Sequence, residues 1–205
     1  MARSRKMKKK RSTHWVPPGT ITADPNAPKP VIDLMAFSAG HLVEQKLENV
    51  SWVEANKDKY PIIWINVDGL GDAHVISQLG EMFHLHKLAM EDVVNVHQRA
   101  KVETYGDQVF IVGRMVELDH QRVGGDQLSM FVGPRFVLSF QERSGDCFDP
   151  VRDQIRKARG RVRQSGPDFL AYLLVDAVVD HYFPVLERFG EIIEELEDSV
   201  VENPE

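Results

Sequence analysis

The chain has 205 residues, room for one substantial domain with an appendage, and its 42% hydrophobic and 27% charged content is that of an ordinary globular protein. The formal net charge of −6 hides an asymmetry, since seven basic residues lie between Met1 and Ser12 and the rest of the chain sets 18 basic residues against 31 acidic ones. An acidic body repels phosphates and excludes nucleic acid as the main partner; the single cysteine, Cys147, excludes an intrachain disulfide and a cysteine-built metal site, and suits a reducing compartment.

Residues 1–30 read as a basic, proline-rich, disordered tail. No apolar run follows the basic cluster, so it is not a signal peptide, and five prolines between positions 17 and 30 keep it extended. Lys/Arg clusters also favour anionic leaflets, which leaves a lipid contact open. Residues 31–164 read as an α/β body. A first strand at 31–37 pairs with 41–48 across Ser38-Ala39-Gly40, a short helix covers 52–57, and the β-branched run 62–67 suits an interior strand covered on both faces. Asp68-Gly69-Leu70-Gly71-Asp72 turns the chain, and Asp72 caps a helix running to about Phe83. It lacks the third glycine of a dinucleotide fingerprint and the Gly-Lys-Ser/Thr of a phosphate loop, so it reads as a structural turn.

A second helix fits 86–95. Strands follow at 100–105, 108–118, 127–132 and 135–140, with turns at Gly106-Asp107, Gly124-Gly125 and Gly133-Pro134. A basic helix is expected from Phe148 to about Gln164, pairing its arginines with the acidic stretch 187–198 in the chain or in a neighbouring copy. Residues 165–205 read as a long acidic helix, capped by Ser165 with Asp168 three residues on, and bent or split at Pro184. Its apolar half, 169–186, does not read as a membrane span: Asp176 and Asp180 each cost ~2.5–3.5 kcal/mol at a bilayer centre.

His84 and His86 share no helix face, no His-Glu-x-x-His arrangement occurs, and no nucleophile elbow is present, so neither a zinc site nor an enzyme has positive support. The carboxylates remain. Glu91 and Asp92 end an amphipathic segment, and Asp176 and Asp180 lie one turn apart in apolar company. Such acids are solvated, or they meet a cation; the sharper expectation is that Asp92, Glu91 and Asp176 converge on a hydrated divalent ion, because hard cations take oxygen ligands.

Several stretches in one order, 64–72, 90–105, 108–115, 140–142, 146–152 and 173–183, make the chain resemble the cytoplasmic domain of the CorA-type magnesium/cobalt transporter family over residues 31–205. The resemblance implies an α/β/α sandwich around a mixed sheet, followed by a long C-terminal helix. It also implies a five-subunit funnel beneath a membrane pore on the cytoplasmic side of the cell membrane, closed by Mg²⁺ (or Co²⁺) held between subunits. By that resemblance Asp92 matches an interfacial metal-binding aspartate, Glu91 and Asp176 match a second acidic site, and Asp180 is a weaker candidate. The family's pore helix, its Gly-Met-Asn signature and the stalk helix carrying the partner of Asp92 have no counterpart among the matched stretches. The expected function is therefore a Mg²⁺-sensing gating domain of a longer parent; the alternative is an oligomerisation scaffold from the family's zinc-type branch, without sensing. Oxygen ligands suit Mg²⁺, Co²⁺, Ni²⁺ and Zn²⁺ alike, so the ion stays open.

Overall fold

The computed structural model describes residues 17–119 and 122–202. The apolar run at 62–67 becomes β3 (Ile62–Asp68), buried at every position. It pairs antiparallel with β1 (Val31–Phe37), which pairs in turn with β2 (Leu42–Leu47). On its other side β3 pairs parallel with β7 (Phe136–Gln141), and β6 (Arg122–Val132), β5 (Gln108–Asp119) and β4 (Lys101–Tyr105) continue antiparallel. The result is one mixed seven-stranded sheet in the order β2-β1-β3-β7-β6-β5-β4.

Alternate side chains of each strand point to opposite faces, and each face carries its own core. One core is closed by α1 (Ser51–Asn56), α2 (Ala73–Met82) and α3 (Lys87–Val94), through residues such as Val53, Ile76, Leu79, Met90 and Val93 packed on Ile63, Ile65 and Phe131. The other is closed by α4 (Asp149–Arg156) and α5 (Pro167–Asp180), whose Ile155, Leu170, Leu174 and Val178 pack with Trp64, Met130 and Val137. This is the expected α/β/α sandwich. Asp72 caps α2 as expected, its Oδ1 accepting from the backbone of His74 at 2.9 Å and of Val75 at 3.3 Å.

The chain after α5 breaks at His181–Tyr182 and resumes as α6 (Phe183–Glu202), with Pro184 in the first turn, where a missing N–H costs least. Tyr182 Oη donates to the Arg114 carbonyl at 2.9 Å and Val185 is buried, which fixes the start of α6 beside β5. Beyond it Leu186, Phe189, Ile193, Leu196 and Val200 are exposed at a 3,4,3,4 spacing, an apolar stripe without a cover among the described residues. By length and composition the stretch Pro167–Val201 is the one described segment apolar enough to cross a membrane, yet its α5 half supplies the second core.

Four expectations change. Gly124 and Gly125 are not a turn; they pair with Glu117 and Val116 inside the β5–β6 hairpin, where a Cβ on Gly125 would come within 3.0 Å of the Met115 carbonyl. The basic helix stops at Arg156, because Ala158 and Gly160 take positive φ of 48° and 61°. Within the chain three of its basic residues pair elsewhere than with the 187–198 stretch: Arg152 with Asp146, Arg156 with Glu44 on β2 and Lys157 with Asp153. Ser165 does not cap α5; Gly166 takes the cap position, with no side-chain hydrogen bond, and Pro167 opens the helix.

Residues 17–30, expected as part of the disordered tail, run along the body; residues 1–16 lie outside the described residues. Ile21 packs against the first core, and the Gly71 N–H donates to the Pro28 carbonyl at 2.8 Å. Gly69, at φ +100°, and Gly71 make this approach possible, since a Cβ on Gly71 would collide with the Ala27 carbonyl. Gly71→Ala should therefore lower the unfolding free energy by about 1–3 kcal/mol in urea denaturation. An unchanged midpoint would mean that the 27–29 segment is not held there.

Candidate functional site

α3 turns Ala89, Met90 and Val93 inward, which leaves Glu91 and Asp92 half-exposed at its outer edge. Glu91 Oε2 accepts the Gly19 N–H at 2.8 Å. Asp92 Oδ2 accepts from Lys101 Nζ at 2.7 Å, and the same ammonium reaches Glu103 Oε2 at 2.9 Å. Burial lowers the Lys101 pKa, but the hydrogen bonds and charges of Asp92 and Glu103 outweigh it and hold the group above its ordinary value. The Asp92 carbonyl accepts from Gln127 Nε2 at 2.8 Å, and Gln127 Oε1 accepts the Gln98 N–H at 3.0 Å. A buried β6 side chain thereby fixes the end of α3 and the loop after it.

Asp176 and Asp180 are exposed on the outer face of α5, among the exposed Tyr172, Val175 and Val179. α3 and α5 cover opposite faces of the sheet, so within one chain Glu91 and Asp92 lie on one layer and Asp176 and Asp180 on the other. The expected convergence of Asp92, Glu91 and Asp176 does not occur inside a single copy. The reason is amphipathic: each helix buries its own apolar stripe against the nearer sheet face and turns its acids outward. Among the described residues no three His, Cys, Asp or Glu side chains group to hold a metal ion.

A polar cluster that the sequence reading passed over lies under α4, on the second face of the sheet. Asn66 Nδ2 and Gln141 Nε2 both donate to Asp68 Oδ1, at 2.9 and 3.0 Å, and both reach Asp146 Oδ2 at 3.2 Å. The Trp64 indole donates to Ser139 Oγ at 3.0 Å, and Ser139 donates to Asn66 Oδ1 at 2.6 Å. Arg152 forks onto Asp146 at 2.6 and 2.5 Å, with its guanidinium 5.2 Å from the Trp64 ring centre. Beside the cluster is a cavity of about 420 Å³ lined by Asp33, Lys46, Asp68, Asp146, Arg152 and others. The signal was Asn66, a lone amide within the apolar run 62–67; a buried amide there calls for partners on the neighbouring strand.

Among the described residues Asp68 makes no ion pair, and the nearby Arg152 charge only partly offsets what raises its pKa. Burial, then the charges of Asp146 and Asp33, raise its pKa to about 6. Asp146 is buried too, but Arg152 outweighs the burial and holds it below the ordinary carboxylate range. A carboxyl whose folded pKa lies above its unfolded value stabilises the fold below the unfolded pKa, and that contribution is lost as pH rises through about 6.

With this geometry in hand, the sequence model of the CorA-like Mg²⁺ transporter proteins matches residues 61–205. The chain belongs to that family. It is 39% identical over 193 residues to the cobalt/magnesium transport protein CorA of Thermotoga maritima, a match covering 93% of this chain and 55% of that protein. The fold resembles the solved soluble domain of CorA from Methanocaldococcus jannaschii, with a TM-score of 0.64 at 17% identity, covering 83% of this chain and 64% of that one. It also resembles the cytoplasmic domain of ZntB from Vibrio parahaemolyticus, with a TM-score of 0.54 at 11% identity, covering 80% and 62% of the two chains. The chain spans about half the length of the curated relatives it matches.

Asp68→Asn keeps an acceptor for Asn66 and Gln141 while removing the buried charge. The variant should gain about 2–3 kcal/mol over wild type at pH 8 and almost nothing at pH 4, measured by urea denaturation across that range. A gain that does not vary with pH would mean that the Asp68 carboxyl titrates at its ordinary value.

Proposed function

We propose that this CorA-family chain is the cytoplasmic, cation-responsive domain of a magnesium/cobalt transporter, and that divalent cations draw copies of it together. The observation that carries this reading is the placement of the acids on opposite layers. Two different faces of one chain, each bearing carboxylates, suit a head-to-tail contact in which the α3 side of one copy meets the α5 side of the next. Such heterologous contacts close into rings, and five copies is the ring that the family resemblance implies.

In this reading Asp92, Glu91, Asp176 and Asp180 face one another across the contact, and their like charges push neighbours apart. The donor set fits the ion: carboxylate oxygens are hard ligands, and Mg²⁺ is commonly held by one or two of them with retained waters. A bridging Mg²⁺ or Co²⁺ offsets the repulsion, and its loss loosens the assembly, a coupling between cation occupancy and subunit arrangement. The exposed stripe on α6 would then meet neighbouring helices of the assembly, and the domain would sit on the cytoplasmic side of the cell membrane in a longer parent chain.

A scaffold without sensing, as in a zinc-type relative, is favoured by one observation, the lack of a three-residue metal group among the described residues. Calorimetric titration with Mg²⁺ and Co²⁺ separates the two, since a scaffold gives no saturable heat. For the sensing domain, Mg²⁺ at about a hundred times its dissociation constant should raise the melting temperature by about 5–10 °C. Asp92→Lys and Asp176→Lys should each remove most of that rise and the matching protection from proteolysis. Equal rises in wild type and both variants would rule out these carboxylates as the cation ligands.

A further inference from the structure

Asp92 already holds a cation, one that belongs to the chain. The Lys101 ammonium lies 2.7 Å from Asp92 Oδ2 and 2.9 Å from Glu103 Oε2, so it spans a carboxylate on α3 and another on its own strand. Lys101 and Glu103 are two residues apart on β4 and share one face of it. Glu103 is itself held in place: the Tyr105 hydroxyl donates to the same Oε2 at 2.8 Å, and the Tyr105 ring stacks on His86 at 4.2 Å. Glu103 therefore stays within reach of Lys101 whether or not Asp92 is engaged.

We propose that Lys101 is a tethered counter-ion that competes with a divalent cation for Asp92 and withdraws onto Glu103 when the cation binds. The inference rests on the reading of Asp92 as a cation ligand, and it adds what sets the concentration at which that ligand responds. A divalent ion bound at the Asp92 carboxylate lies at close range to an ammonium on Oδ2, and their positive charges repel there. Withdrawal needs only a rotation of the flexible lysine stem, because the second acceptor is already in contact. The apparent affinity of Asp92 for the divalent ion is lowered by the fraction of time Lys101 occupies it. An internal competitor of this kind raises, by the same factor, the concentration of any divalent ion needed for a response.

The two carboxylates act on the lysine in opposite senses, and the test uses that. Co²⁺ is titrated into the full chain, and paramagnetic broadening of the amide resonances around Asp92 is followed by NMR in wild type, Lys101→Met, Glu103→Gln and Asp92→Asn. Removing the competitor should move the midpoint to about two- to fivefold lower Co²⁺ in Lys101→Met. Removing the resting place should move it to higher Co²⁺ in Glu103→Gln. The amide spectra report folding in each chain, and Lys101→Gln replaces the methionine variant if that variant unfolds.

A purely structural role for Lys101 would move both midpoints the same way or neither. Broadening that depends on Asp92 but has the same midpoint in wild type and Lys101→Met overturns the competitor and leaves the Asp92 reading standing. Broadening that survives unchanged in Asp92→Asn, or is missing near residue 92 in wild type, overturns the Asp92 reading itself and the competitor with it.

Discussion

Burying a sheet on both faces is the constraint from which the rest of this molecule follows. All seven residues of β3 are enclosed, Asn66 and Asp68 among them, so every helix beside the sheet must offer it an apolar stripe. α3 does so with Ala89, Met90 and Val93, and α5 with Leu170, Leu174 and Val178. Each helix then has only its outer side left for carboxylates. That is why the acids of one chain stand back to back across the sheet.

Most of the fold is legible in the sequence because period and punctuation agree with it. The alternation at 101–105, the apolar run at 62–67 and the Asp72 cap all report local preferences that the tertiary structure respects. The misreadings fall where a local signal had two meanings. Gly124 and Gly125 look like a turn, but here glycine answers a close strand approach; helical spacing past Arg156 continues on paper while Ala158 and Gly160 turn the backbone. The candidate acids came from family resemblance, and their outward placement agrees with their amphipathic positions. Their distribution over two layers was not, because that depends on which sheet face each helix covers. Nor was the cluster around Asp68, which needs pairing registers that bring Ser139 and Gln141 beside β3.

The chain's own cations set the electrostatic background. Arg152 is committed to Asp146 and Asp149, Arg156 to Glu44 and Asp153, and Lys101 to Asp92 and Glu103. Asp68, by contrast, accepts side-chain hydrogen bonds from the amides of Asn66 and Gln141 and makes no direct ion pair among the described residues; burial and the charges of Asp146 and Asp33 outweigh Arg152, so its ionisation works against the fold at neutral pH. The acidic surplus of the sequence is therefore unevenly compensated. On the second face neither Asp33 nor Asp68 has an ion pair among the described residues, while the outer side of α5 and most of α6 meet solvent with their acids.

The break at His181–Tyr182 has a mechanical consequence. Tyr182 and Val185 hold the near end of α6 against β5, while its 20 residues extend for about 30 Å with an uncovered stripe. A tilt of about 10° at that pivot sweeps the far end through about 5 Å, roughly the width of one helical turn. Whatever grips the distal half of α6 thus works on a long arm with a fixed fulcrum, and small rearrangements beside the sheet are magnified in travel at its tip.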